Sequence, residues 1–174
     1  MSRYFYINHE KEISDIDILS SRIIKDGWVD KKTLIVVCSP EYSSLMCQVM
    51  NHQICKLTRN VPLDMISLDM PYAGGEEFDY MEYNQALCEL GEKLHGTDKK
   101  ALLVDSGVLR GMNFTIASRV LSRYTHSQQV KYACLYKQST SVFNPDYYVE
   151  EFDFVKDGGL LFWWENQNIP YWNY

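Results

Sequence analysis

No apolar run in this 174-residue sequence approaches the length of a membrane span, and the opening MSRYFYINHEKE lacks the apolar core of a secretory leader. The expectation is a cytoplasmic chain with no membrane partner. Basic runs are missing as well. The formal net charge is -6 and no Lys/Arg cluster offsets it, which argues against a phosphate-backbone footprint and makes nucleic acid an unexpected partner. Cysteine is present in an odd number, five, with no C-x-x-C pair, so neither a disulfide framework nor a zinc knuckle is expected, and the thiols are read as buried and reduced. No repeat, linker or low-complexity tract interrupts the chain. With 46% hydrophobic and 23% charged residues, it has the composition of one globular domain over residues 1–174, long enough to bury a core without metal or disulfides.

What is there alternates between the two main periods. A short extended start around Tyr4 to Ile7 leads to a helix over Ser14 to Trp28, with Ile16, Leu19, Ile23 and Ile24 on one face, Ser14 as N-cap and Gly27 as stop. Thr33 to Val37 is a short β-branched run and reads as a buried strand. The chain returns as a helix over Tyr42 to Gln53, with Leu45, Val49 and His52 on its inner side and Met46 and Met50 adjoining. Asp64 to Met70 alternates as a half-exposed strand, and Ala73-Gly74-Gly75 is a turn. Tyr80 to Leu94 is a helix closed by Gly96. Strands are expected at Ala101 to Val104, Val130 to Tyr136, Tyr147 to Phe154 and Leu160 to Trp164. Strands alternating with helices predict an α/β fold with a mostly parallel sheet covered on both faces.

Between two of these elements lies the stretch ALLVDSGVLRGMNFTIASRVLSRY, Ala101 to Tyr124: four apolar residues, an acid, a loop with two glycines and a helix carrying Phe114, Ala117, Val120 and Leu121. In a parallel sheet the crevice beyond the strands' carboxyl ends is the usual ligand site, and a helix opening there presents free N–H groups to an anion. Gly111 permits the turn, Asn113 supplies an amide and Arg110 a guanidinium able to fork onto phosphate oxygens. The same Arg110 has a second reading, as a plug that pairs with Asp105 and fills the phosphate position itself. Cys38 at a strand end with His52 nearby is a weaker pattern for a thiol nucleophile, since no orienting acid is evident.

Three stretches carry a resemblance. Ala101 to Leu121, Val130 to Lys137, and Phe143-Asn144-Pro145-Asp146-Tyr147-Tyr148-Val149-Glu150-Glu151 with Phe162-Trp163-Trp164-Glu165 resemble a type I phosphoribosyltransferase of the small xanthine-guanine (6-oxopurine) kind, which carries P-D-Y-Y-V-E-E and F-P-W-E. The resemblance covers Thr33 to Cys55 and Ala101 to Glu165, about half the chain. It implies a phosphoribosyltransferase-like fold, a nucleotide or sugar-phosphate ligand, a homodimer, and magnesium if the chain is active. It does not extend over residues 56–100, where the family has a mobile loop and this sequence offers a helix.

The resemblance also places residues. Against the family's D-D-x-x-D-T-G-x-T loop this chain keeps the first acid as Asp105, has Ser106 for the second, Leu109 for the proposed general base, and Arg110-Gly111-Met112-Asn113 for the phosphate turn. The family's pyrophosphate loop, S-R-G-G, is met by Cys38-Ser39-Pro40-Glu41, which loses the arginine, loses one N–H to proline and gains a carboxylate. In the base pocket Lys137 stands at the purine-oxygen donor, Gly159, just before Leu160, at the stacking aromatic, and Glu165 is retained. A leucine cannot accept a proton. The expectation is therefore a divergent phosphoribosyltransferase-fold protein that binds a nucleotide or phosphorylated pentose without the standard transfer, the alternative being an active divergent purine phosphoribosyltransferase.

Overall fold

The computed structural model describes residues 4–38, 40–58, 62–68 and 80–162. Its elements run β1 (Tyr4–Ile7), α1 (His9–Asp26), β2 (Thr33–Cys38), α2 (Pro40–Thr58), β3 (Met65–Leu68), α3 (Tyr80–Leu94), β4 (Lys100–Val108), α4 (Met112–Leu121), β5 (Val130–Gln138), β6 (Tyr147–Phe152), α5 (Phe154–Asp157) and β7 (Gly159–Phe162). Five strands form one parallel sheet in the order β3-β2-β4-β5-β6, and β1 pairs with β7, also in parallel, as a separate two-stranded ribbon. The expected α/β architecture is present, with Thr33–Cys38, Lys100–Val108 and Val130–Gln138 as adjacent strands at its centre.

Strand alternation divides the core in two. Ile35, Val37, Leu102, Val104, Ala133 and Leu135 face α1 and α2, where Ile16, Leu19, Ile23, Met46, Met50 and Ile54 cover them. Val36, Ala101, Leu103, Tyr132 and Cys134 face α3 and α4, beneath Leu87, Leu90, Phe114 and Ala117. Fully burying one such aliphatic side chain is worth about 1.5–3 kcal/mol, so both layers are needed and both faces are covered.

Several element bounds depart from the sequence expectation for identifiable reasons. α1 starts at His9, not Ser14: Asn8 Oδ1 accepts the Lys11 N–H at 2.7 Å, and Glu10 and Glu12 occupy the first turn, where a helix favours acid. The apolar stripe begins later than the helix, and Ser14 is an exposed interior residue. Gly27, at φ +69°, ends it as expected.

On α2 the inner face is Met46, Cys47, Met50 and Ile54, while Leu45 and His52 are exposed. Two neighbouring stripes competed there. The buried choice also satisfies Asn51, which exchanges hydrogen bonds with the Leu63 backbone at 2.9 and 3.0 Å. With His52 at the surface and Cys38 enclosed, its thiol driven well up by burial, the Cys38–His52 nucleophile reading is overturned.

β6 stops at Phe152 because Asp153 caps the short α5. The Ala73–Gly75 turn and Trp163 to Trp164 lie outside the described residues.

Candidate active site crevice

The strand order reverses direction at β2 and β4: the chain moves outward from β2 to β3, then returns across to β4, β5 and β6. Such a switch point opens a crevice beyond the carboxyl ends of the two strands. β4 reaches further into it than its apolar run suggests. Pairing with β5 continues through Asp105↔Cys134 and Gly107↔Tyr136 to Val108↔Lys137, so Asp105 and Ser106 lie in the strand and the loop is reduced to Leu109, Arg110 and Gly111.

Asp105 is held by a cluster of donors. Its Oδ1 accepts the Ser43 hydroxyl at 2.9 Å and the Ser106 N–H at 2.7 Å, and the Ser106 N–H also points to Ser43 Oγ at 3.1 Å. The residue keeps some exposure, but its carboxyl group is enclosed, and burial raises it to about 7 against the opposing pull of the Ser43, Ser106 and Gly107 donors. Ser106 is itself buried. Ser43, fully buried in the first turns of α2, carried no signal in the sequence: a serine near a helix start is ordinary.

Gly111 caps α4 at φ +77°, a left-handed conformation that disfavours a side chain. Space forbids one as well. A Cβ there would lie 2.6 Å from Phe143 Cβ and Ser141 Oγ, and 2.8 Å from the Phe143 nitrogen. The extended return from β5 to β6 thus runs directly against the turn, tied to it by Val142 N–H to Arg110 O at 3.3 Å. Phe143 is anchored in turn on Phe114 and Tyr132, with ring centroids 5.5 and 4.9 Å apart.

α4 then opens with no side-chain cap and no acid in its first turn, unlike α1. Tyr83 of α3 donates to the Asn113 carbonyl at 3.0 Å and fixes that turn from the other side. Around it Leu109 and Met112 are 47% and 52% exposed. Arg110 is exposed and forms no ion pair among the described residues. The plug reading, Arg110 paired with Asp105, is not the arrangement found: Ser43 occupies that place.

The base-pocket residues separate. Lys137 and Glu151 are register partners, and their charged ends meet at 2.9 Å, with the ammonium also 5.1 Å from the Tyr148 ring centre. The hydrogen bond it donates to Glu151 raises the Lys137 ammonium above its ordinary value. Leu160 lies over Gly107, its Cδ1 3.3 Å from where a Cβ would be. Glu165 lies outside the described residues, as does Ser39; of the expected pyrophosphate loop, Cys38 ends β2 while Pro40 and Glu41 open α2. Among the described residues the donor set does not make a protein-held magnesium site. Among the described residues no group of three His, Cys, Asp or Glu side chains gathers, Asp105 stands without a second acid, and its Oδ1 is already shared by two donors.

No family model and no curated protein matches the sequence. The fold does find counterparts. A purine phosphoribosyltransferase from Pyrococcus horikoshii superposes with TM-score 0.63 at 18% identity, covering 98% of this chain and 97% of its own. The xanthine-guanine-hypoxanthine phosphoribosyltransferase of Helicobacter pylori gives 0.62 at 14%, covering 96% and 95%. A hypothetical protein from Neisseria gonorrhoeae with bound ppGpp gives 0.65 at 16%, covering 95% and 90%. The chain has the phosphoribosyltransferase fold over nearly its whole length.

Proposed function

We propose that this phosphoribosyltransferase-fold chain binds a nucleotide or phosphorylated pentose in the crevice between the carboxyl ends of β2 and β4, and does not transfer phosphoribose from phosphoribosyl pyrophosphate to a 6-oxopurine. The observation that carries the binding reading is the start of α4. Its N-cap, Gly111, offers no capping side chain and bends the chain, its first turn holds no acid, and an exposed guanidinium stands beside it. Helix dipole, a helix start without a capping side chain and a fork-shaped cation all favour phosphate. The ppGpp in the Neisseria gonorrhoeae neighbour is in keeping with a nucleotide ligand for this fold.

The reading against transfer rests on chemistry. Leu109 stands where the family resemblance places the proposed base, and a hydrocarbon takes no proton. Asp105, the retained acid, is committed to Ser43. Losing one preorganised donor typically costs a hundredfold in rate, on the order of 3 kcal/mol, and losing a base costs a comparable factor.

Calorimetry at low salt tests both. Titration of GMP and ppGpp into the wild type and Arg110→Glu is expected to show binding that the variant abolishes by adding repulsion. No binding to the wild type removes the phosphate site. Incubation with phosphoribosyl pyrophosphate, magnesium and guanine, xanthine or hypoxanthine is expected to yield no nucleotide; robust turnover that Asp105→Ala abolishes establishes the active-enzyme alternative instead.

A further inference from the structure

We infer that Ser43 is a positioning residue: from α2 it reaches across the switch-point crevice, holds the carboxyl group of Asp105, and so sets how that acid meets a ligand. The inference rests on the crevice being the binding site proposed above. Its geometry is specific. Ser43 is fully buried, and another fully buried helical hydroxyl, Ser20, is spent inside its own helix, on the Ile16 carbonyl at 2.7 Å. Ser43 is instead directed out of α2 to β4, where its oxygen donates to Asp105 Oδ1 and accepts from the Ser106 N–H. The three groups close a ring of short hydrogen bonds that joins the segment after β2 to the segment ending β4.

Among the described residues the surroundings give Asp105 nothing else of the kind. The titratable groups facing it are Cys38 of β2, Cys47 of α2, Cys134 of β5 and Tyr83 of α3, all held neutral by burial. No ammonium or guanidinium pairs with it among the described residues. The ionised form is therefore supported by hydrogen-bond donors alone, and Ser43 is the donor contributed from outside the Asp105–Gly107 segment. Removing a donor to a carboxylate favours its protonated form, so Ser43 controls the charge that the crevice presents near neutral pH.

The test follows the Asp105 carboxyl carbon by NMR through a pH titration of the unliganded protein, the signal assigned by its loss in Asp105→Asn. In Ser43→Ala the proton affinity of Asp105 is expected to rise by about tenfold. Ser43→Cys, which fills the site with a weak donor, is expected to move it the same way and serves if the alanine variant fails to fold. An unchanged midpoint in a folded variant overturns the inference, since a merely structural serine would lower stability and leave the titration alone. GMP titrations at pH 6 and pH 8 complete the test. A shifted midpoint in a protein whose wild type binds no nucleotide upholds Ser43 as the Asp105 holder and removes the binding site instead.

Discussion

The two ends of the central sheet are built on opposite plans. At the amino end the segments entering β2, β4 and β5 are tied by side chains. Lys100 Nζ donates to the Trp28 carbonyl and to Asp30 Oδ2, both at 2.7 Å. Lys131 Nζ bonds Asp26 at 2.5 Å and the Tyr147 hydroxyl at 2.7 Å, and lies near the ring centres of Trp28 and Tyr147. Gln129 closes on the Leu94, Thr97 and Lys99 carbonyls, and Lys32 pairs with Asp98. The 480 Å³ hollow among Trp28, Lys100 and Lys131 is consequently lined by ammonium groups that already have partners.

At the carboxyl end the start of α4 is uncapped, Arg110 is unpaired among the described residues, and two large apolar side chains at the turn are half exposed. The difference follows from helix direction. In a parallel α/β sheet, helix carbonyl ends gather at the amino edge and are satisfied by the chain's own lysines and amides, while helix N–H ends gather at the carboxyl edge and favour an anion. Among the described residues the first turn of α4 supplies none of its own, whereas α3 has Glu82 in its first turn.

If that contrast is right, substitutions at the two ends should separate stability from binding, in a graded series. Gly111→Ala is expected to be the most damaging change to the fold, about 3 kcal/mol or more in denaturant unfolding, because it adds left-handed strain to a clash with Phe143. It would show that the open end still stands on one rigid turn.

Asp105→Asn comes next, and its sign depends on pH. Folding raises Asp105 to about 7 from an ordinary value near ~3.9, so the fold prefers the protonated form. That contribution is complete below about pH 4 and is lost as pH rises through about 7. Chemical denaturation at pH 8 is expected to find the variant about 2–4 kcal/mol more stable than the wild type, with no difference at pH 4; an equal gain at both pH values would detach it from the carboxyl's titration.

Lys131→Met is expected to cost about 1 kcal/mol through lost packing and ring contacts at the amino end, with GMP affinity unchanged. Arg110→Glu inverts that pattern: thermal stability stays within about 0.5 kcal/mol of wild type while nucleotide binding disappears. Loss of binding in Lys131→Met, or of stability in Arg110→Glu, would break the comparison.

Much of the scaffold is legible in the order of residues. Thr33 to Val37 and Ala101 to Val104 read as buried strands and are the hearts of β2 and β4, and Tyr80 to Leu94 is a helix at the bounds its leucines and Gly96 mark. Gly111 was legible too, as a glycine where a turn needs one. Asp105 and Ser106 were not legible as strand residues. D-S-G is turn chemistry locally, and pairing with β5, whose partners lie some thirty residues further on, overrode it. Lys137 reads as a free donor until the parallel register sets Glu151 beside it.

By itself, then, the sequence determined what local physics can determine: the periods of 2 and 3.6 residues that separate strands from helices, the apolar faces that require a two-sided sheet, and the glycine and arginine at the turn after β4. Which of two stripes on α2 turned inward, how far β4 extended, and whether Asp105 met Arg110 or Ser43 were decided by the tertiary structure. Each of those depends on groups distant in the chain competing for one buried position, where an unmatched polar atom costs more than any local preference can return.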